Sequence, residues 1–548
     1  MVKKTFIYTF ILIFSFLLIG CDSFNSINQE TESTITNTNL INETSTTEDS
    51  ETTTINSNII YEVSFDSLGG NSIDTVYVRN GESIVLPETE REGYTFLGWM
   101  IDKIPESELV NNPFQPNSNI TLYAKWEALD WSDVENYLND LIPSELSSNI
   151  NLPSEYNDYT ISWESDNPEV LSNSGIYNRP YQATVVGLTA IIRLGENRLT
   201  KIYNVEALGY KSLSAPLASS YIYRDYNLVT DTFFNTLDII NCAFITANSS
   251  GELSGVAVLA NISTYIMPKA HENGNWVLFS IGPGSEWADI SSNTNRMNIF
   301  ADNIVEMINT YGFDGVDIDW ETPTSDQATH FTQMMSIIYA KVKANNPNHL
   351  VTAAIAGGMW QPPRYDLTNS GQYLDYINMM TYGMVSNNGY YQNALSRSTS
   401  FNNPTNLVGK TLNSCSIEES IEIYHSYGIL NSKIIVGVAF YGIIQTRTYN
   451  SATQTWSNWT KSSSISYTSI VNNYLNNSNY EYHYDRIAGV PYIISIDGTV
   501  FISYDNPRSI LDKSEYIIEM GLAGMMYWEN GLDQTESLLL AMESGLNE

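Results

Sequence analysis

The chain has 548 residues, too many for one ordinary domain, and a length prior sets about three or four. Its formal net charge of −36 excludes nucleic acid and anionic lipid headgroups as natural partners, because a polyanion would be repelled. A neutral ligand such as an uncharged polysaccharide fits better, although the same acidity also serves simply to keep a secreted protein soluble.

In chain order, Lys3 and Lys4 precede an apolar run from Phe6 to Ile19, which ends in Leu18-Ile19-Gly20-Cys21. A basic start and a run short of a spanning helix read as a signal peptide over residues 1–21. A small residue followed by Cys resembles the bacterial lipoprotein signal. That resemblance implies lipidation of Cys21 and a protein lipid-anchored on the extracellular face of the bacterial cell membrane; the alternatives are an ordinary secretory peptide or an uncleaved anchor. Residues 22–58 are Ser, Thr, Asn and Glu with hardly any large apolar side chain, so they form a disordered linker with an end-to-end distance on the order of 30 Å. Cys242 and Cys415 are far apart and match no disulfide framework or metal spacing, so they read as free thiols.

Residues 59–127 change to strand patterning: Glu62–Asp66, Thr75–Val78, Gly93–Trp99 and Ile120–Trp126, with Gly69-Gly70 between the first two. The double glycine, Gly93-Tyr-Thr-Phe-Leu-Gly-Trp99 and Tyr123-Ala-Lys-Trp126 resemble the Listeria–Bacteroides repeat, a small β-grasp-like module that serves as a spacer or in adhesion. Residues 128–210 begin with Val134, Tyr137, Leu138 and Leu141 at helical spacing. Short strands follow at Thr160–Trp163, Ala183–Val186 and Ala190–Leu194, and the segment resembles bacterial immunoglobulin-like domains.

From residue 213 to residue 548 the rhythm is strand, helix, strand, helix. Candidate strands are Tyr221–Arg224, Ile239–Ile245, Trp276–Gly282, Gly315–Glu321, Leu350–Ile355, Ile377–Tyr382, Ile434–Phe440 and Gly524–Trp528. Met297, Phe300, Ile304, Met307 and Tyr311 predict one helix, and Phe331, Met335, Ile338 and Val342 another. The expected fold class is α/β, a (β/α)8 TIM barrel catalytic domain preceded by two small β-rich modules.

The octapeptide Asp314-Gly-Val-Asp-Ile-Asp-Trp-Glu321 carries the chemistry. Successive strand side chains point to opposite faces, so Asp317, Asp319 and Glu321 share one face, about 6 to 7 Å between neighbours, and Val316, Ile318 and Trp320 the other. So many acids on one face of an apolar strand burden folding unless a site uses them. Asp314 has the other parity and reads as a turn or capping residue.

This octapeptide fits the Asp-x-x-Asp-x-Asp-x-Glu signature of glycoside hydrolase family 18, the chitinases and their relatives. Further landmarks follow in order: Ser280-Ile-Gly-Pro-Gly284, Asn378-Met-Met-Thr-Tyr382, Gly437-Val-Ala-Phe-Tyr-Gly442, Ile502-Ser-Tyr-Asp-Asn-Pro-Arg-Ser-Ile510 and Ala523-Gly-Met-Met-Tyr-Trp528. The resemblance implies a retaining, substrate-assisted glycosidase. In it Glu321 is the general acid and base, Asp319 orients the 2-acetamido group with Asp317 coupled behind it, Tyr382 bonds the acetamido oxygen and Trp528 floors the sugar. Neighbouring carboxylates are expected to raise the pKa of Glu321. Tyr223, Tyr441, Trp360 and Trp287 are further aromatic subsite candidates, each matched by a core or rim reading. No metal or organic cofactor is implied, and the expected partner is an N-acetylglucosamine polysaccharide bound by a monomer.

Two departures bear on substrate choice. Gly383 follows Tyr382 where chitinases usually carry Asp, and Ile443 stands where many carry Arg. An insertion rich in Tyr, Asn and Ser from about residue 443 to 503, including Trp456 and Trp459, matches the place of a small α+β lobe. The leading expectation is cleavage of β-1,4-linked N-acetylglucosamine polymers. Alternatives are an endo-β-N-acetylglucosaminidase acting on the chitobiose core of N-glycans, a peptidoglycan-directed glycosidase, and a non-catalytic glycan-binding lectin.

Overall fold

The computed structural model describes residues 59–358, 360–385, 391–397 and 415–548. The expectations for the signal peptide, Cys21 and the polar linker lie outside the described residues. Among these, no helix is long and apolar enough to cross a membrane.

The first module is a four-stranded sheet in the order Val76–Arg79, Ile60–Asp66, Ile120–Ala128, Tyr94–Met100. Its two central strands run parallel and its outer pairings are antiparallel. No helix occurs between Ile60 and Ala128. Instead Leu86 completes the core of Val63, Val78, Trp99, Leu122 and Ala124, with Ile84, Val110 and Phe114 packed on it from loops. The double glycine has a steric reason: a Cβ on Gly70 would lie 2.6 Å from the Trp126 ring, whose Nε1 donates to the Ser67 carbonyl at 2.9 Å.

The second module pairs the helix Ser132–Leu141 with a five-stranded sheet. Val134 and Leu138 enter a core with Ile161, Trp163, Val186, Leu188 and Ile192. The expected strands Ala183–Val186 and Ala190–Leu194 are one strand, Thr184–Leu194, paired along its whole length with Asn197–Ala207. Gly187 does not break it, because its N–H bonds Asp166 Oδ1 at 2.9 Å and its carbonyl receives the Asp166 N–H.

This module is docked under the barrel. Arg179 spans the junction, donating to the carbonyls of Gly209 at 2.5 Å and of Glu272, on the barrel side, at 2.7 Å. Tyr181 and Tyr210 stack with each other, and both lie against Trp276, which opens a barrel strand. Trp276 Nε1 donates to the Lys211 carbonyl at 3.0 Å, and the Tyr210 ring meets edge-on the His271 ring, whose Nε2 lies 3.0 Å from Asp314 Oδ2. Tyr181, Tyr210 and Leu213 pack against the cluster that fills the barrel's inside.

Eight parallel strands close the barrel: β1 Leu217–Ile222, β2 Ile239–Ala247, β3 Trp276–Ile281, β4 Gly315–Ile318, β5 Leu350–Ala356, β6 Tyr376–Met380, β7 Ile434–Ala439 and β8 Gly524–Trp528. β1 pairs with both β2 and β8, which completes the ring. Helices Thr294–Tyr311 and Ala328–Asn345 match the periodicity of their sequences. Phe300, Ile304, Phe331 and Met335 pack with Val316, Ile318 and Trp320 in the layer between strands and helices.

The largest departures from the expected strand boundaries are at β1 and β4. β1 lies four residues earlier than Tyr221 at its start, leaving Tyr223 and Arg224 in the loop beyond it. β4 ends at Ile318 rather than Glu321, because its neighbour β3 ends at Ile281, the residue paired with Ile318. One further bond, Asp319 N–H to the Ile281 carbonyl at 2.8 Å, carries the alternation on, so Asp319 faces inward and Trp320 outward. Glycine at 315 is required, since a Cβ there would lie 2.1 Å from the Leu350 carbonyl oxygen. The insertion between β7 and β8 is an α+β lobe with a five-stranded antiparallel sheet and the helix Tyr467–Asn473.

Candidate active site

At the C-terminal ends of the strands a cavity of about 920 Å³ opens. Asp319, Glu321, Tyr382, Trp528, Tyr223, Tyr441 and Trp360 all line it. Of the expected site residues only Asp317 lies below the lining, fully buried in the barrel. Among the described residues the cavity's charged lining residues are acids, and no Lys, Arg or His lines it.

Asp317 is held on both oxygens. Ser280 Oγ and Tyr221 Oη donate to Oδ2 at 2.7 and 2.8 Å, while Thr352 Oγ1 and Asn378 Nδ2 donate to Oδ1 at 2.6 and 3.1 Å. The donors come from β3, β1, β5 and β6, so one carboxylate ties four strands together. Burial pushes its pKa up and these donors pull it back, with burial prevailing.

Asp319 has no such shell. It is 2% exposed, and its Oδ1 has no hydrogen-bond partner among the described residues. Burial raises its pKa well above the ordinary carboxylate value, and the charges of Glu321 and Asp317 add to that. Glu321 stands at the cavity mouth, reachable by solvent yet desolvated enough by the walls to raise its pKa. The expectation that neighbouring carboxylates raise Glu321 is corrected here: burial is the cause at Glu321, and the repulsion falls on Asp319. The buried partner feels it because charges interact more strongly where water is excluded.

The aromatic wall is continuous. Trp528 lies 5.7 Å from Phe244 in a stacked pair and 5.9 Å from Tyr223. Tyr382 meets Tyr441 edge to face at 6.3 Å, and its hydroxyl lies 4.0 Å from Met526 Sδ. Trp360 is 79% exposed at the rim. The peptides Glu321–Thr322 and Trp528–Glu529, at the ends of β4 and β8, are cis.

Trp287 is no subsite: it is buried, stacked on Trp320 at 5.6 Å in the outer layer. Ile443 is buried in the lobe's sheet and does not line the cavity, so that departure concerns packing rather than sugar contact. Gly383 does line it, at φ +67°, with Tyr441 Oη the nearest atom to a Cβ at 3.6 Å. Trp456 and Trp459 lie away from the cavity and sandwich Arg447, whose guanidinium is 4.2 and 4.4 Å from their rings.

Ser280 and Asn378 open two of the landmark motifs but are given no role there; Tyr221 and Thr352, also around Asp317, and Phe244, Met380 and Gln361 in the lining are not singled out as site residues. Thr352 had a signal, as the one hydroxyl in the apolar run Leu350-Val-Thr-Ala-Ala-Ile355.

A closed parallel barrel with paired inward acids and an aromatic floor at its strand ends defines a sugar-cleaving type of site. The chain belongs to glycosyl hydrolases family 18, whose model matches residues 219–533. The Listeria-Bacteroides repeat domain matches residues 61–125 and the atrophied bacterial Ig domain residues 134–208. Chitinase A1 of Niallia circulans is 26% identical over 291 residues, covering 48% of this chain and 41% of that protein. Endochitinase 1 of Metarhizium robertsii is 28% identical over 295 residues, covering 49% of this chain and 64% of that protein. The chain thus spans about 41% to 64% of the length of these relatives. A family 18 N-acetylglucosaminidase from Paenibacillus barengoltzii shares the fold at a TM-score of 0.54 and 23% identity, over 60% of this chain and 99% of that one. The Ostrinia furnacalis Group IV chitinase bound to allosamidin does so at 0.52 and 20%, over 60% and 97%.

Proposed function

We propose that the protein is a glycosidase that cleaves β-1,4 links between N-acetylglucosamine units of a chitin-like polymer, with retention and with the substrate's own acetamido group as nucleophile. The observation that carries this reading is Asp319, a buried carboxylate with one oxygen unpartnered, beside Glu321 at an aromatic cavity. A buried acceptor without a donor is unfavourable until a ligand supplies one, and an acetamido N–H does so.

Glu321 gives its proton to the glycosidic oxygen as the bond to the anomeric carbon breaks. The acetamido carbonyl oxygen attacks that carbon from the opposite face, forming an oxazolinium ion whose charge Asp319 balances. Glu321, now ionised, takes a proton from water, which opens the ring with a second inversion and so gives net retention. No separate carboxylate nucleophile is needed, as this family is an exception to the two-carboxylate scheme. Tyr382 Oη points the acetamido oxygen inward, and Trp528 stacks beneath the sugar. The chitinase relatives and a lining free of basic residues among the described ones favour a neutral aminosugar polymer.

A second reading is favoured by Gly383, which offers no side chain beside Tyr382 and leaves room for a branched glycan: an endo-β-N-acetylglucosaminidase acting on N-glycan cores. The protein without its first 21 residues, given chito-oligosaccharides and a high-mannose glycoprotein in parallel, separates the two. Release from the first alone is expected. Release from the second alone moves the assignment to the N-glycan enzyme, and binding without turnover of either makes the barrel a lectin.

Cys21 lipidation would hold this cleft at the outer membrane face, a reading supported by Lys3, Lys4, the apolar run and Gly20-Cys21. Replacing Cys21→Ser is expected to move the protein from the membrane fraction to the medium, and unchanged membrane retention would refute the anchor.

A further inference from the structure

Tyr382 lies past the last ladder bond of its strand, and Tyr441 stands just beyond β7 as the first residue of the lobe strand Tyr441–Thr446, paired with Ser466. β6 ends at Met380 and β7 at Ala439, and their pairing stops at Met379 with Val436. Carbonyls beyond that point need donors from elsewhere. Two adjacent, fully buried amides from the loop after β6 provide them. Asn393 Nδ2 donates to the carbonyl of Thr381, the residue before Tyr382, and to that of Gly437 at 3.1 Å. Gln392 Nε2 donates to the carbonyl of Tyr441 at 2.7 Å and to that of Ser503 at 3.2 Å.

The Asn393 amide is itself locked. Lys513 Nζ, fully buried on the helix Pro507–Met520, donates to Asn393 Oδ1 and to Asp505 Oδ1. Ser509 Oγ donates to the same Asp505 oxygen at 2.7 Å, while Asp505 Oδ2 accepts the Ala439 N–H at 3.4 Å. A fully buried ion pair adds little net stability compared with apolar residues of similar volume, so stability alone is a weak reason for it. What this pair does is fix the direction of one amide group.

We infer that Asn393, anchored by Lys513 and Asp505, is a positioning residue: it sets the peptide plane that aims Tyr382 into the cleft, while Gln392 does the same for Tyr441. This rests on the reading of Tyr382 as the group that orients the acetamido oxygen. Gln392 and Asn393 thereby act on catalysis from outside the cavity lining.

A double-mutant cycle on a fluorogenic chito-oligosaccharide tests it. Asn393→Ser is expected to lower kcat by about 10- to 100-fold with KM nearly unchanged, since small misplacement of a reacting geometry acts on the chemical step. Tyr382→Phe lowers kcat too, and the double variant should be no slower than Tyr382→Phe alone. A structural defect would instead multiply the two losses, and multiplied losses overturn the inference. So does a wild-type kcat for Asn393→Ser when Tyr382→Phe is slow. If Tyr382→Phe is as fast as the wild type, the assigned role of Tyr382 fails first and takes this inference with it. Should Asn393→Ser not fold, Gln392→Leu with Tyr441→Phe runs the same cycle with the same outcomes.

Discussion

Glu321→Gln should lower kcat by about 10²- to 10⁴-fold while leaving KM within a few-fold, the range that a positioned general acid contributes. Glutamine keeps the shape and a hydrogen bond to the glycosidic oxygen but has no transferable proton. Glu321 sits at the cavity mouth rather than in the packed interior, so the variant should fold normally. Steady-state kinetics on chito-oligosaccharides, with calorimetric binding as control, measures the split. A loss of less than tenfold would assign the proton to another group. The pH profile follows from the same residue. The wall around Glu321 raises its pKa, so the acid form survives to higher pH than for an ordinary Glu and the alkaline limb of kcat/KM moves upward. The acid limb belongs to the coupled set of Asp317, Asp319 and Glu321 rather than to one of them.

Asp319→Asn should lower kcat by about 10²- to 10³-fold, as for loss of one preorganised electrostatic partner of a developing charge. It should also make the protein more stable at neutral pH. The sign is fixed by linkage. The folded-state pKa of Asp319 is raised, so between its unfolded and folded values the native state holds a proton that the unfolded chain has lost, and stability falls as pH rises through that window. Above it the native state carries a buried charge repelled by Glu321 and Asp317. Asparagine removes that charge. The gain in Tm over the wild type should be clear at pH 7 and vanish below the ordinary carboxylate range. Each kcal/mol of relief corresponds to about 2–4 °C in a domain of this order of size. Scanning calorimetry of both proteins at neutral and acidic pH measures it, and a variant no more stable than the wild type at pH 7 would refute the strain assigned to Asp319.

The residues that touch the cleft were largely legible in the sequence, because the barrel exposes chemistry where each strand ends. Alternation in the octapeptide gave the inward acids, and the motifs at Tyr382, Tyr441 and Trp528 fell on the rim of one cavity. The cage of Asp317 was not legible, since Tyr221, Thr352 and Asn378 are 96, 35 and 61 positions away from it and meet it only through barrel closure. The Asn393–Lys513–Asp505 network escaped for the same reason, as Lys513 is 120 positions from Asn393. Ile443 and Trp287 mislead in the other way. Its aromatic ring suggested a sugar contact for Trp287 and the family resemblance the loss of one at Ile443, and both are buried in packing layers that periodicity alone does not distinguish from the cleft.

The floor built by the immunoglobulin-like module makes the family boundary a poor place to cut. A piece beginning at residue 219 would strip Tyr210 from His271, the Lys211 carbonyl from Trp276 Nε1 and Arg179 from the Glu272 carbonyl. It would leave the aromatic face of Trp276 open to water, so the smallest catalytic fragment to express starts before the helix Ser132–Leu141. The same joint sets a load path. Tension on the chain from its N-terminal side would reach the start of β3 through Trp276, whereas a polymer in the cavity would lie beyond the strands' far ends. With the proposed anchor at Cys21 and substrate in the cleft, the barrel would be stretched along its strands, with the force shared among hydrogen bonds that must shear together.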